Sequence, residues 1–239
     1  MEFMPQYAPF VALAFLGTCF ALGVIALLII YALARSKRRL VSYAGGAVLA
    51  LAGAYAAVLL VASLTSREKV LDLGEQKYFC AMDCHVAHSV VDVATSKALG
   101  ALPNQATAAG TFYVVKLKTW FDERTISSRR GYAPLTPDPR RVIVVDDRSR
   151  EFSASLEGLR ALEQAQERAT PLTKPLRPGE SYTTVLVFDL PADAQNPRLF
   201  LADASSITHL LIGHENSPFH RKILFQLAPQ ASSATLVGR

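Results

Sequence analysis

Two long stretches near the N-terminus consist almost entirely of apolar residues. The first, PFVALAFLGTCFALGVIALLIIYALA, covers residues 9–34 and contains no charge. The second, residues 40–66, is also uncharged and is rich in Leu, Ala and Val. An apolar helix of about 20 residues crosses the hydrocarbon core of a bilayer. The pattern therefore predicts a hairpin of two transmembrane helices, over about 10–34 and 40–66, in preference to a buried helical hairpin of a soluble protein.

The first stretch does not have the pattern of a cleaved signal peptide. Such a peptide begins with a basic segment, whereas the start of this chain, MEFMPQYAPF, has no basic residue. The apolar run is also longer than a signal peptide needs, and no small-residue cleavage pattern follows it. We therefore expect a helix that is retained in the mature protein.

The loop between the two apolar stretches, Arg35-Ser36-Lys37-Arg38-Arg39, carries four positive charges. Basic loops stay on the cytoplasmic side of a membrane, so residues 35–39 predict an N-terminus and a C-terminal part on the periplasmic or exterior side of a bacterial inner membrane. The whole chain has a formal charge of +5, and this loop accounts for most of it. The charge is thus an orientation signal, and we expect no nucleic-acid partner.

Residues 67–239 have a different pattern, in which short apolar or alternating runs rich in β-branched residues are separated by Pro and Gly. We divide them into a lead-in segment with the first strand, 67–104, and an exterior β-domain, 105–239. Short strands at regular spacing are typical of an all-β sandwich or barrel. The predicted strands cover residues 89–96, 111–121, 140–147, 181–191, 197–204, 208–215 and 221–228. An amphipathic pattern over 155–169 predicts one short helix that covers an end of the sandwich.

The stretch LRPGESYTTVLVFDLPADAQNPRLFL, residues 176–201, combines a Pro-Gly-Glu turn with a long strand that ends in FDLP. It resembles the late strands of membrane-anchored bacterial immunoglobulin-like domains of uncharacterised function. The resemblance covers about residues 105–227 and implies an immunoglobulin-like β-sandwich. Because such domains mostly serve as binding or structural modules, the resemblance says almost nothing about activity.

The segment YFCAMDCHVAHS, residues 78–89, contains two of the three cysteines and two of the five histidines. Cys80 and Cys84 are disulfide candidates in an oxidising compartment, provided that the chain turns between them, because a straight strand would hold them about 13 Å apart. Thiolate and imidazole also suit copper or zinc, with Cys80, Cys84, His85 and His88 as ligands.

Three further interpretations of this segment stay open. Met82, or one of the distant His209, His214 and His220, could complete a metal site. C-x3-C-H is an expanded form of the haem c attachment motif, with His85 as the axial ligand. The cysteines could also be reduced and simply packed in the core.

The two helices, the exterior N-terminus and the β-domain together resemble subunit II of haem-copper oxidases. That family holds a dinuclear copper centre on a C-x3-C-x3-H-x2-M motif, and Cys80, Cys84 and His88 match its first three positions. Val91 stands where the methionine belongs, and the motif precedes most of the strands instead of lying between late ones. The resemblance implies copper, and these departures argue against it.

The rest of the chain contains no catalytic motif, so we expect no enzymatic activity. The segment IGHENSPFH, 212–220, is interpreted as a polar hairpin loop, and Cys19 as a residue of the first membrane helix. Small residues in the second helix allow another helix to approach closely; they are Gly45, Gly46, Ala50 and Gly53.

We therefore expect a non-enzymatic accessory or structural subunit of a larger membrane complex, such as a respiratory or photosynthetic electron-transfer complex. Its partners would be membrane lipid and other membrane protein subunits, and no cofactor is expected. The alternative is an electron-transfer or metal-delivery protein with copper or haem c on residues 80, 84, 85 and 88.

Overall fold

The computed structural model describes residues 8–79, 85–126, 129–165 and 169–228. These residues form two compact units, a helical unit of residues 8–67 with 205–222, and a β unit that contains the remaining described residues. The helices and strands have the following bounds: α1 Ala8–Ala34, α2 Arg38–Leu64, β1 Lys69–Leu71, β2 Lys77–Tyr78, β3 Val86–Leu99, β4 Ala106–Phe121, β5 Arg140–Val145, β6 Glu151–Ser153, α3 Leu156–Ala165, β7 Ser181–Leu190, β8 Arg198–Asp203 and β9 Ile223–Gln226.

Helices α1 and α2 are each 27 residues long and form an antiparallel pair joined by a tight turn at Ser36, whose φ is +53°. Both are long and apolar enough to cross a membrane. Their half-buried positions recur every three or four residues and face the partner helix, as at Leu22, Ile25 and Ile29 of α1. The other faces expose large apolar side chains, such as Phe20 at 75% and Leu49 at 76%. A buried helical hairpin of a soluble protein would cover these side chains.

The β unit is a sandwich of two sheets, which confirms the predicted β-sandwich. One sheet has the strand order β1-β9-β8-β5-β6 and the other has the order β2-β3-β4-β7. Only the β1–β9 pair is parallel among the named strands. Side chains from both sheets fill the space between them, because inward positions alternate with outward ones along each strand. This core includes Val93, Leu117, Phe188, Leu199 and Phe225.

Helix α3 packs on the outer face of the second sheet. Phe112 of β4 and Val187 of β7 contact the apolar side of the helix around Ala161. A Cβ atom at Gly158 would lie 2.8 Å from Cγ1 of Val187, so glycine allows the helix to approach the sheet closely. The predicted amphipathic helix is thus present, and it covers a sheet face instead of an end of the sandwich.

Most predicted strands agree with β3, β4, β5, β7, β8 and β9, but the strand predicted at 208–215 is wrong. Residues Ser206–Leu210 form a 3₁₀ helix, and turns follow it, with a φ of +76° at Gly213. Local hydrogen bonds between residues three apart satisfy this backbone, so it needs no sheet partner. The short strands β1, β2 and β6 were not predicted. Because β1 and β2 belong to the two sheets, the sandwich begins well before residue 105.

Candidate functional site

The stretch YFCAMDCHVAHS, residues 78–89, is called the CxxxCH segment. It extends from the end of β2 into β3, and these two strands pair with each other. Lys77 and Tyr78 of β2 lie opposite His88 and Ala87 of β3 in an antiparallel pair. The backbone N–H of Phe79 donates to the carbonyl oxygen of Val86 at 3.3 Å. The chain therefore reverses its direction between Phe79 and Val86. Cys80, Met82 and Cys84 lie outside the described residues, so their roles as disulfide or metal ligands stay predictions.

His88 points into the core of the sandwich and is fully buried. Its Nδ1 shares a hydrogen bond of 3.1 Å with Oγ1 of Thr119 on β4, and its ring meets the edge of the Phe79 ring at 5.4 Å between centroids. Its Nε2 has no hydrogen-bond partner among the described residues. Burial, together with the positive charges of Arg140 and Lys77, lowers the pKa of His88 to about 3. The imidazole is therefore neutral at physiological pH.

Strand β3 contains a β-bulge at Val91, three residues after His88. The pairing of β3 with β4 shifts by one residue between Val90 and Asp92, so Val90 and Val93 both face the core. Val91 is the extra residue and is 38% exposed. The position that carries methionine in the copper signature is thus at the surface, whereas His88 lies in the core.

Lys77 places its ammonium group inside the sandwich. The side chain is 4% exposed, and Nζ donates to the carbonyl oxygens of Leu201 and Ile223 at 2.7 and 3.0 Å. The β8–β9 pairing ends nearby, after Leu199 lies opposite Phe225. An ammonium group has three donors and can satisfy carbonyls that the sheet leaves unpaired. Lys77 therefore connects the second sheet to the first.

Arg140 and Asp203 form a buried ion pair beside Lys77. Their nearest atoms are 2.8 Å apart, and the side chains are 5% and 7% exposed. The guanidinium of Arg140 lies 4.1 Å from the centroid of the Phe79 ring, and Nζ of Lys77 lies 5.0 Å from the same ring. We call the five residues around this ring the polar cluster; they are Lys77, His88, Thr119, Arg140 and Asp203.

The polar cluster contains two cations and one carboxylate around a neutral imidazole. Its local potential is therefore positive, which opposes the binding of a metal cation at His88. The same charges bind the two sheets together through hydrogen bonds and cation–π contacts. The polar cluster beside the CxxxCH segment therefore has a structural role among the described residues.

His85 has different neighbours from those of His88. Its Nδ1 lies 2.6 Å from Oγ1 of Thr125, and its ring stacks on Phe121 at 5.6 Å with an interplanar angle of 10°. The carbonyl oxygen of His85 accepts from the backbone N–H of Asp122 at 2.8 Å. The structure thus places the two histidines of the predicted metal site in separate surroundings. Within the described part of the chain, no group of three His, Cys, Asp or Glu side chains could hold a metal ion.

Asp122 fixes the strand end next to His85. Its carboxylate accepts from Nε of Arg124 at 2.9 Å and from the hydroxyl of Tyr78 at 2.7 Å. The hydrogen bond from Arg124 contributes most to a pKa of Asp122 that is lowered to about 2, and the bond from Tyr78 lowers it further. The carboxylate is therefore ionised at physiological pH and holds β2 beside the end of β4.

The small residues of α2 lie away from α1 for the most part. Gly46, Ala50 and Gly53 are exposed, and Gly45 is half-buried. A Cβ atom at any of the three glycines would have no heavy atom within 4 Å. We call Gly46, Ala50 and Gly53 the small-residue face. Cys19 of α1 is also exposed, with a free thiol.

Two of the three histidines of the 205–222 segment, His214 and His220, are buried and take part in local hydrogen bonds, whereas His209 is exposed. Nδ1 of His214 accepts from the backbone N–H of Asn216 at 3.0 Å, and Nδ1 of His220 lies 2.7 Å from the carbonyl oxygen of Arg221. Nζ of Lys222 donates to the carbonyl oxygen of Glu215 at 2.8 Å. These contacts order the segment internally, which the interpretation as a polar loop did not include.

Lys77, Arg140 and Asp203 did not appear among the predicted site residues. The sequence does contain a signal for them, because alternate residues of a strand face the same side of the sheet. Asp203 alternates with the apolar Leu199 and Leu201, and Lys77 alternates with Phe79. A charge at an inward position of an apolar strand indicates a buried, paired ion.

The sequence matches no protein-family model and no curated protein. Similar solved structures include the following three chains. A secreted protein from Mycobacterium tuberculosis, MPT63, has a TM-score of 0.40 at 12% identity, over 68% of this chain and 99% of that one. A conserved hypothetical protein from Bacillus anthracis has a TM-score of 0.40 at 14% identity, over 55% and 87%.

The third structure is an uncharacterised β-sandwich protein from Clostridium difficile 630. It has a TM-score of 0.37 at 9% identity, over 68% of this chain and 96% of that one. Similarities of this size carry no argument about function, and the sandwich is established by the strand pairing itself. They do not show the resemblance to haem-copper oxidase subunit II.

Proposed function

We propose that this protein is a non-enzymatic accessory subunit of a larger membrane complex, anchored by α1 and α2. The observation that carries the proposal is the small-residue face of α2, which α1 leaves uncovered. In a bilayer, small residues let two helices approach closely, and van der Waals contact then replaces lipid. A partner helix on this face explains why glycines recur in a helix whose interior they would otherwise weaken.

The proposed topology follows from the basic turn between the helices. With residues 35–39 in the cytoplasm, the N-terminus and the β unit lie on the periplasmic or exterior side of the bacterial inner membrane. Alkaline phosphatase, which is active only outside the cytoplasm, can be fused after residue 228 or inserted at residue 37. We expect activity from the first fusion alone, and activity only from the second would contradict the topology.

The β unit would serve as the exterior contact module of this subunit. The nine strands that its described residues form in two sheets match the strand number of variable-type immunoglobulin sandwiches, which supports an immunoglobulin-like class. A respiratory or photosynthetic electron-transfer complex is the partner that we propose from the overall topology.

Purification in mild detergent tests whether a membrane complex binds to the small-residue face. The wild-type chain should co-purify with a defined membrane complex, and Gly53→Leu should lose it because the leucine side chain blocks close helix approach. Ala52→Leu is the matched control, since it adds the same leucine at an exposed residue of α2 that lies about a third of a turn away from the small-residue face. Retention of the complex by Gly53→Leu, or its loss with both variants, would contradict the proposal.

One observation favours a second candidate function, a copper or haem protein. His88 leaves Nε2 without a partner while Thr119 orients Nδ1, and metal-binding histidines are often held in this way. Elemental analysis and a visible absorption spectrum of the full chain decide the matter. Stoichiometric metal that is lost with His88→Leu, or haem whose spectrum changes with His85→Leu, would favour this candidate, and colourless, metal-free protein would eliminate it.

A further inference from the structure

Residues 205–219 expose several large apolar side chains and bury several polar ones, although Ser205, Ser206 and His209 are exposed and Leu211 is buried. Large apolar side chains are exposed, with Ile207 at 58%, Leu210 at 53% and Phe219 at 74%. Polar side chains such as Glu215 and Ser217 are buried, at 8% and 2%. In water this arrangement is unfavourable, because about 25 cal/mol is lost for each Å² of apolar surface left exposed. Against lipid it is the favourable arrangement.

Part of the backbone of this segment is hydrogen-bonded within its own turns. Hydrogen bonds join residues three apart in an unbroken series, and the N–H groups of residues 208, 211, 214, 217 and 220 each donate to the carbonyl oxygen three residues earlier. Side chains add to them, since the hydroxyl of Ser217 donates to the carbonyl oxygen of Leu211 at 2.6 Å, and Nδ2 of Asn216 donates to Oγ1 of Thr208 at 2.8 Å. Non-helical backbone is tolerated at membrane depth when its polar groups are satisfied within the protein.

The segment is hydrogen-bonded to α2 and to the residues just after its C-terminal end. The hydroxyl of Tyr55 donates to the carbonyl oxygen of Leu210 at 2.7 Å, and the backbone N–H of Arg221 donates to Oγ of Ser66 at 2.8 Å. Tyr55 precedes Leu64, the last residue of α2, by about 14 Å along the axis at a rise of 1.5 Å per residue. An α2 of about 40 Å that is centred in a hydrocarbon core of about 30 Å would place Tyr55 inside the hydrocarbon.

We propose that residues 205–219 form a re-entrant segment that enters the exterior leaflet beside α2 and presents Ile207, Leu210 and Phe219 to lipid acyl chains. The apolar surface of the segment continues that of the helices at the height of Tyr55. Arg221 and Lys222 then mark the return of the chain to the headgroup region, where basic side chains are favourable. This inference rests on the membrane anchor proposed above, and it adds a third lipid-contacting element.

Tryptophan quenching by brominated lipids tests the segment directly. The only natural tryptophan, Trp120, is changed to Phe in the full chain, and one new tryptophan is introduced by Phe219→Trp or Ile207→Trp. Leu49→Trp reports on the helical anchor, and Tyr132→Trp reports on an exposed loop of the β unit. Each protein is reconstituted in phosphatidylcholine vesicles that carry bromine on the acyl chains.

The outcomes separate the re-entrant segment from the anchor. We expect the Phe219→Trp and Leu49→Trp proteins to be strongly quenched, and the Tyr132→Trp protein to keep its fluorescence. Quenching for Leu49→Trp without quenching for Phe219→Trp or Ile207→Trp overturns the re-entrant segment and leaves the anchor intact. Absence of quenching at all of these positions overturns both. The Ile207→Trp variant keeps the test decisive if Phe219→Trp does not fold.

Discussion

The Nδ1 atom of His88 lies 3.1 Å from Oγ1 of Thr119, across the pairing of β3 with β4 in the middle of the sandwich core. This contact orients a neutral imidazole between two buried cations, Lys77 and Arg140. The histidine of the CxxxCH segment that most resembles a metal ligand is thus also a structural residue of the core. The first two predictions concern the pKa of His88 and the neighbouring ion pair of Arg140 with Asp203.

Stability should fall as the pH is lowered, because the pKa of His88 is about 3 in the folded state and about 6.5 in the unfolded chain. Between these values the unfolded state binds a proton that the folded state does not. The stability is fully present above about pH 6.5 and decreases by about 1.4 kcal/mol for each pH unit below it. Urea unfolding of the full chain in detergent, followed by Trp120 fluorescence, measures this slope.

The variant His88→Leu should lose most of this dependence of the unfolding free energy on pH. The variant His85→Leu should retain it. Because His88→Leu also removes a hydrogen bond from Thr119, its stability at neutral pH is expected to fall by about 1 kcal/mol. The comparison therefore concerns the slope with pH and not the absolute stability. An unchanged slope in His88→Leu would show that folding does not lower the pKa of His88.

Replacement of Asp203 by Asn should destabilise the β unit by about 3–5 kcal/mol, because the buried guanidinium of Arg140 then loses its carboxylate. The double variant Arg140→Met with Asp203→Leu should be less destabilised, since it removes both charges. Urea unfolding with Trp120 fluorescence measures each variant.

The matched control for this pair is Glu151→Gln in the same sheet. Arg141 and Glu151 form an ion pair at 2.7 Å whose side chains are 58% and 55% exposed. Solvent screens this pair, so the loss should be below about 1 kcal/mol. Equal losses for Asp203→Asn and Glu151→Gln would argue that Asp203 contributes no more than a surface charge.

Thiol counting tests the predicted disulfide between Cys80 and Cys84. Both cysteines lie outside the described residues, and the prediction rests on the oxidising compartment that the topology implies. The unfolded, unreduced protein should react at one thiol, Cys19, and the reduced protein at all three cysteines. Mass spectrometry after alkylation gives the count.

Cys19→Ala is the control, and it should leave no reactive thiol before reduction. Three alkylated cysteines in protein that was isolated without reductant would eliminate the disulfide. If Cys80 and Cys84 resist alkylation only when metal is present, the metal site would be favoured instead.

Gly110 of β4 should not tolerate a side chain. A Cβ atom there would overlap the carbonyl oxygen of Leu190 on β7, so backbone would have to move. Gly110→Ala should therefore cost several kcal/mol or prevent folding. Ala109→Val adds a larger volume at the neighbouring, exposed position of the same strand and should change stability by less than about 1 kcal/mol. Thermal unfolding of the full chain compares them, and similar transitions would contradict the expected overlap.

Sequence periodicity identifies the elements that are long or strongly patterned. The uncharged runs at 9–34 and 40–66 correspond to α1 and α2, and the alternating run at 111–121 lies within β4. It fails for short strands such as β2, whose two residues cannot display a period, and for 208–215, where local turns replace a sheet. The alternation of side chains along a strand also indicates that Asp203 is buried, but only once the strand itself is known.

The sequence by itself determined the helical hairpin, the basic turn, the β-class of the remainder and the residues of the CxxxCH segment. These follow from hydrophobic content and local period, which act over a few neighbouring residues. The tertiary structure alone decided that His88 lies buried between Lys77 and Arg140, and that Tyr55 holds Leu210 beside α2. Such contacts join residues far apart in the chain, and they exist only after the sheets and helices have packed.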